Sequence, residues 1–365
     1  MTDFKKLAGK AISDIVPYKP GKPVKELERE LGIKEAIKLA SNENPFGPSP
    51  KVKAAIKDFF PEISRYPYGD AHYLRTKLAA KLEVPADMLL FGTGSNEIIE
   101  LAIRTFLKDG EHVISPAPSF SVYSSIAQAA GKSCNWIPCK KDFSFDFDAL
   151  LDAINDKTRM IFIANPNNPT GAYTADKELR AFMEKVPSDV IVVFDEAYVE
   201  FADAKDFPDT MKYLDKFHNI FIMRTFSKAY GLAALRCGYV VADAMAIDMM
   251  NRVRQPFNTN MAAQVAAEAA LGDEAYLDKV IKKNKKGRNY LQKEFKNLGL
   301  PFVKSQANFI LVEVGDGEKV FNDLLKKGII VRYLGPSLGK YIRVSVGTME
   351  ENEAFIEQLK KVLGK

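Results

Sequence analysis

Between about residues 50 and 260, short continuous apolar runs alternate with stretches of helical period. Residues 87–107 contain one such unit. An apolar run ends at the turn Gly92–Gly94, and Ser95 stands where a helix N-cap is expected. Ile98, Ile99, Leu101, Ala102 and Phe106 then recur at helical spacing. The later runs 112–116, 159–166 and 189–198 are apolar on both faces along their middles, as strands covered by helices on either side must be. This alternation predicts an α/β fold with a mostly parallel, doubly covered sheet. Polar residues appear abruptly at 165–171 and 195–198. In an open parallel sheet the carboxyl ends of the strands form the crevice where ligands bind, so chemistry is expected there.

The pattern changes after about residue 265. A long lysine-rich amphipathic segment precedes alternating runs at 307–314, 329–333 and 341–347, which predict a smaller α+β unit. The expected division is an N-terminal arm with part of the small domain over 1–45, a large domain over 46–264 and a small C-terminal domain over 265–365. The tract KKNKKGR at 282–288 reads most simply as a solvated helix face. The chain has 365 residues, 47% apolar and 27% charged, enough for a large core without disulfide or metal support. Its net charge of +5 is spread thinly, which argues against nucleic-acid or membrane partners. The apolar runs are strand-sized, well short of a membrane helix, and the first twenty residues lack the pattern of a secretory signal, so a cytoplasmic protein is expected. Cys134, Cys139 and Cys237 match no zinc or redox spacing and read as reduced thiols. His72, His112 and His218 form no metal or triad pattern.

The Gly92–Asn96 turn ahead of a helix can present backbone N–H groups to a phosphate, but neither a complete dinucleotide fingerprint nor a P-loop is present. A more specific set lies further on. Lys228 sits among Thr225 and Ser227, with Arg236 eight positions later. Together they offer an amine for condensation with an aldehyde and several donors for a phosphate. Asp195 ends an apolar strand, where a carboxylate is costly unless it meets a cation or donors. A protonated pyridine nitrogen is such a partner. Asn168 and Tyr198 could reach a ring hydroxyl.

The order N-P-T-G, D-E-A-Y, S-K and R-x-G resembles fold-type I pyridoxal-phosphate aminotransferases. Its spacings are 27 from Asn168 to Asp195, 3 to Tyr198, 30 to Lys228 and 8 to Arg236. The stretches 16–33, 38–50, 64–70 and 341–359 are similar to the histidinol-phosphate aminotransferase family. The resemblance implies that Lys228 binds pyridoxal 5′-phosphate covalently and that Asp195 holds its ring nitrogen. It further implies that Asn168 and Tyr198 meet its ring oxygen. Ser95, Asn96, Thr225, Ser227 and Arg236 would hold its phosphate. Phe120 falls where the family has an aromatic, often Tyr, stacked on the ring.

Tyr66 matches a tyrosine that reaches the partner subunit's cofactor, which implies a homodimer with shared sites. The other reading is a tyrosine packed in its own core, and Tyr68 next door competes for the match. Arg343 matches the arginine that receives a substrate anion. Strand alternation places Arg343 and Ser345 opposite Ile342, Val344 and Val346. Arg332 would assist it, with a surface ion pair as the alternative, while Tyr18 and Asn42 would line the substrate mouth. The implied reaction is transamination between L-histidinol phosphate and 2-oxoglutarate, giving imidazole acetol phosphate and glutamate in histidine biosynthesis. An aromatic-amino-acid aminotransferase and a phosphothreonine decarboxylase-like lyase are the alternatives.

Overall fold

The computed structural model describes residues 2–17 and 23–365, so Tyr18 lies outside the described residues. A short strand, β1 (Ile37–Lys38), precedes a large sheet. That sheet comprises β2 (Leu89–Gly92), β3 (His112–Ala117), β4 (Ser133–Pro138), β5 (Thr158–Ala164), β6 (Ile191–Asp195), β7 (Ile220–Thr225) and β8 (Gly238–Val241). Its strand order is β2-β8-β7-β6-β5-β3-β4. The pairings among β3 to β7 are parallel, and β8 runs antiparallel to both neighbours. The expected mostly parallel sheet is therefore present.

Period-two alternation divides each strand between two cores. Ile161, Ile163, Val192 and Phe194 pack with Leu74, Leu78, Leu179 and Phe182 on one side. Met160, Phe162, Val193 and Phe221 pack with Ile98, Ile99 and Tyr123 on the other. Both faces are covered, which is why these strands read as unbroken apolar runs. The helix Ser95–Phe106 starts one residue earlier than expected: Gly94, at φ 72°, takes the N-cap position and Ser95 is the first helical residue. A Cβ at Gly94 would run into the Arg236 guanidinium, so glycine is required by close approach as well as by φ.

A second sheet has β9 (Phe309–Glu313), β11 (Arg332–Tyr333) and β12 (Tyr341–Ser345) in the antiparallel order β11-β12-β9, while β10 (Ile329–Ile330) pairs in parallel with β1. The run 329–333 is thus two short strands rather than one. Ile310, Val312, Ile342 and Val344 pack on Leu291, Phe295 and Phe355 from the helices Glu274–Asn297 and Met349–Leu363. A capping box between Thr348 and Glu351 starts the last helix. The tract at 282–288 departs from the expected solvated face, because Asn284, Gly287 and Arg288 are buried within it. Among the described residues, no helix is long and apolar enough to cross a membrane.

Candidate active site

The carboxyl ends of β5, β6 and β7, the start of the helix Ser95–Phe106 and the edge of the second sheet enclose a cavity of about 1030 Å3. Among the described residues, every sequence-predicted site residue except Tyr66 lines it: Asn42, Ser95, Asn96, Phe120, Asn168, Asp195, Tyr198, Thr225, Ser227, Lys228, Arg236, Arg332 and Arg343.

One end is built for an anion. No side chain caps the helix beginning at Ser95, so its first-turn N–H groups lack intrahelical acceptors. Arg236 Nη1 donates to Ser227 Oγ at 3.3 Å, and Thr225 Oγ1 donates to Ser227 Oγ at 3.0 Å. Arg236 adopts the left-handed conformation at φ 59°, rare for a non-glycine residue and concentrated at functional sites.

The middle of the cavity holds a buried carboxylate and a buried amine. Tyr123 donates to Asp195 Oδ2 at 2.6 Å, and the Ala197 N–H donates to Oδ1 at 3.2 Å. Burial pushes the Asp195 carboxyl up to about 6 against the pull of these donors. Lys228 Nζ lies 3.4 Å from the Ser41 carbonyl oxygen and 5.7 Å from the centre of the Tyr198 ring. Burial first, then the like charges of Arg343 and Arg236, bring its amine down to about 8. Tyr123 was not among the residues drawn from the sequence. The signal was its spacing of three from Phe120, a turn closed by the Tyr123 N–H donating to the Phe120 carbonyl at 3.2 Å as the chain enters the helix Val122–Ala129, and the edge-to-face contact of the two rings is 5.5 Å between centroids.

The other end is cationic and spans the two sheets. Arg343 donates through Nη1 to Asn168 Oδ1 at 2.6 Å and through Nη2 to the Ala40 carbonyl at 2.7 Å. Arg332 stands directly opposite Arg343 in the β11–β12 register. Like charges at facing positions of an antiparallel pair are unfavourable, and an anion between them relieves that. Asn42 donates to the Tyr198 hydroxyl at 3.0 Å, and the Asn42 backbone N–H donates to Ser345 Oγ at 2.9 Å. Tyr66 is 82% exposed, lies outside the cavity and stacks on Phe257 at 4.8 Å, so its packing in a core of its own is excluded.

These donors fit pyridoxal phosphate. The uncapped helix start with Arg236 and Ser227 suits its phosphate, Asp195, buried among neutral donors, suits a ring cation, and Lys228 supplies the amine. The chain belongs to the aminotransferase class I and II family, whose model matches residues 34–359, and it is an enzyme of that family dependent on pyridoxal phosphate. It is 44% identical to histidinol-phosphate aminotransferase 2 of Pseudomonas fluorescens, with 100% of this chain and 99% of the relative covered. Among solved structures it is similar to the histidinol-phosphate aminotransferase of Sinorhizobium meliloti in complex with pyridoxal-5′-phosphate. That match has a TM-score of 0.89 and 27% identity over 97% of this chain and 96% of the other. The aromatic aminotransferase of Pyrococcus horikoshii matches with a TM-score of 0.80 and 26% identity, covering 94% and 99%.

Proposed function

We propose that the protein transfers the amino group of L-histidinol phosphate to 2-oxoglutarate, yielding imidazole acetol phosphate and glutamate in histidine biosynthesis. The observation that carries this reading is the facing pair Arg332 and Arg343 on the wall of the Lys228 cavity. A phosphate dianion accepts from two guanidinium forks, whereas a carboxylate is satisfied by one. Two of the proteins named above, from Pseudomonas fluorescens and Sinorhizobium meliloti, are histidinol-phosphate aminotransferases by name.

When bound, pyridoxal phosphate supplies the carbonyl carbon that accepts the amino group and the ring that absorbs negative charge from the substrate Cα. Asp195 holds the positive charge of the ring nitrogen, and Tyr123 with the Ala197 N–H keeps the carboxylate in place. Lys228 would hold the carbonyl carbon of the cofactor through Nζ, and Nζ, an amine brought down to about 8 by burial and the neighbouring arginines, would serve as the base that takes the proton from the substrate Cα. Thr225, Ser227, Arg236 and the helix start at Ser95 and Asn96 hold the cofactor phosphate. Phe120 would pack on the ring, Asn168 and Tyr198 would hydrogen-bond its oxygen, and Arg343 with Arg332 would receive the substrate phosphate. Asn42 braces Tyr198 at the substrate mouth.

The enzyme is read as a cytoplasmic homodimer, divided into an arm with part of the small domain, a large domain and a small domain as expected from the sequence. Support for the dimer comes from the exposed side chains Phe60, Ile63, Tyr66, Tyr68 and Phe257, an apolar surface suited to a second copy whose site Tyr66 would complete. A donor panel of L-histidinol phosphate, L-histidinol and L-phenylalanine with 2-oxoglutarate tests the reading. Preference for phenylalanine supports an aromatic aminotransferase instead.

A further inference from the structure

Arg288 closes the lysine tract at 282–288 yet is 2% exposed. Its Nη1 donates to the Phe201 carbonyl at 3.1 Å and to the Ala307 carbonyl at 3.4 Å, and its Nη2 donates to Asp203 Oδ1 at 2.6 Å. Phe201 is three residues beyond Tyr198. Ala307 lies just before β9, which pairs with β12 so that Leu311 faces Arg343. The neighbouring residue, Gln306, extends the link. Its N–H donates to the Gly171 carbonyl at 2.9 Å, and its Oε1 accepts from the backbone N–H groups of Asp203 and Ala204 at 2.7 and 3.0 Å. Gly171, at φ 78°, is three residues beyond Asn168 and pressed against Ser305, where a Cβ would collide.

The buried Arg288 guanidinium therefore ties the segment after Tyr198 to the lead-in of β9, while its neighbour Gln306 carries the link to the loop of Asn168 and the β9–β12 pairing carries it to the Arg343 strand. We propose that Arg288 is a positioning residue that sets the stance of Arg343 relative to the cofactor side of the cavity, and thereby the affinity for the substrate anion.

Packing alone gives no reason for a guanidinium at this place. Arg288 Nε is buried without a hydrogen-bond partner, a penalty that an apolar side chain of similar volume avoids. What the guanidinium adds is a rigid fork that holds the Phe201 carbonyl and the Asp203 carboxylate of one segment and the Ala307 carbonyl of another in one geometry. Lysine, a point donor, cannot reproduce that spacing. Asp203, the acidic member, is also held by Lys285 at 2.9 Å, so it remains paired when Arg288 is replaced.

The inference rests on Arg343 as the receptor of the substrate anion. Its test is steady-state kinetics of the holoenzyme carrying Arg288→Met, Arg288→Lys or Asp203→Asn, with L-histidinol phosphate and L-histidinol as donors and 2-oxoglutarate as acceptor. The expected result is a rise of about 3- to 30-fold in KM for both histidinol phosphate and the keto acid in the Arg288 variants, and a smaller rise in Asp203→Asn. The KM for histidinol and the absorbance of the bound cofactor should stay at wild-type values, and kcat should change less than KM. The inference is overturned if histidinol and histidinol phosphate lose affinity together, or if neither does while only the thermal midpoint falls. A wild-type enzyme without preference for the phosphate defeats the substrate reading instead. The KM for the keto acid then decides the role of Arg288, an unchanged value contradicting it. Asp203→Asn keeps the test open should Arg288→Met fail to fold.

Discussion

The Arg343 guanidinium donates to Asn168 Oδ1 at 2.6 Å, so a side chain from the second sheet closes directly onto the loop that follows β5 in the first. The proposed substrate-anion receptor and a proposed ring-oxygen ligand thus share one charge-assisted bond. In a double-mutant cycle with Asn168→Ala and Arg343→Ala, the losses in kcat/KM for histidinol phosphate should fall short of additivity by about 1–3 kcal/mol. Additive losses would mean that the two side chains act independently.

Asp195 gives a pH signature. Burial raises its carboxyl to about 6 in the folded apoprotein, above its ordinary value of 3.8, so the folded state binds this proton more tightly than the unfolded chain does. Its contribution to apoprotein stability is full below about pH 4 and is lost as pH rises to about 6. A bound ring cation favours the ionised carboxylate, and the slope should flatten or reverse. Thermal midpoints of apo and holo forms between pH 4 and 7, each compared with Asp195→Asn, check this. An apoprotein slope identical to that of Asp195→Asn contradicts it. At neutral pH, Asp195→Asn should keep the cofactor but lose about 10²-fold or more in kcat, as when a preorganised electrostatic partner is removed.

Lys228 is the second titrating group. With its amine brought down to about 8, labelling of the apoprotein by an acylating reagent should show a midpoint near that pH. The midpoint should rise in Arg343→Ala, where one repelling charge is gone. Borohydride treatment of the holoenzyme should fix the cofactor to the peptide containing Lys228. A label recovered on another lysine removes Lys228 from its role.

Tyr66 tests the shared site. Lys228→Ala and Tyr66→Ala subunits, each impaired alone, should regain activity when mixed, because one site of each heterodimer then has both native residues. No recovery after demonstrated subunit exchange contradicts a shared site.

Much of the site was legible because the carboxyl ends of parallel strands collect it. Asp195 declares itself as a charge that follows an apolar run, Lys228 by its hydroxyl neighbours and Arg236, and alternation alone separates Arg343 from Ile342 and Val344. Other features depend on packing between distant segments, which local pattern cannot show. Tyr123 reads as one more aromatic on a buried helix until β6 brings Asp195 beside it. Asn42 meets Tyr198 across 156 residues, and the Arg332–Arg343 register depends on a break at Val331 that divides one apolar run into two strands. Arg288 was hidden by composition. Five neighbouring charged or polar residues suggest a wet face, while Gly287 beside it lets the helix pack close against Val346 and Asn352.

Selection of a phosphate by the facing arginines is read out by the ratio of kcat/KM for L-histidinol phosphate to that for L-histidinol, in the wild-type enzyme and in Arg343→Ala. A site that pairs a buried anion rejects an analogue lacking it, because its own charges are left without their partner. The wild-type ratio should be about 10³ or greater and should collapse in Arg343→Ala, chiefly through loss of turnover of the phosphorylated substrate. A ratio near one in the wild type, or one unchanged by Arg343→Ala, would contradict that selection.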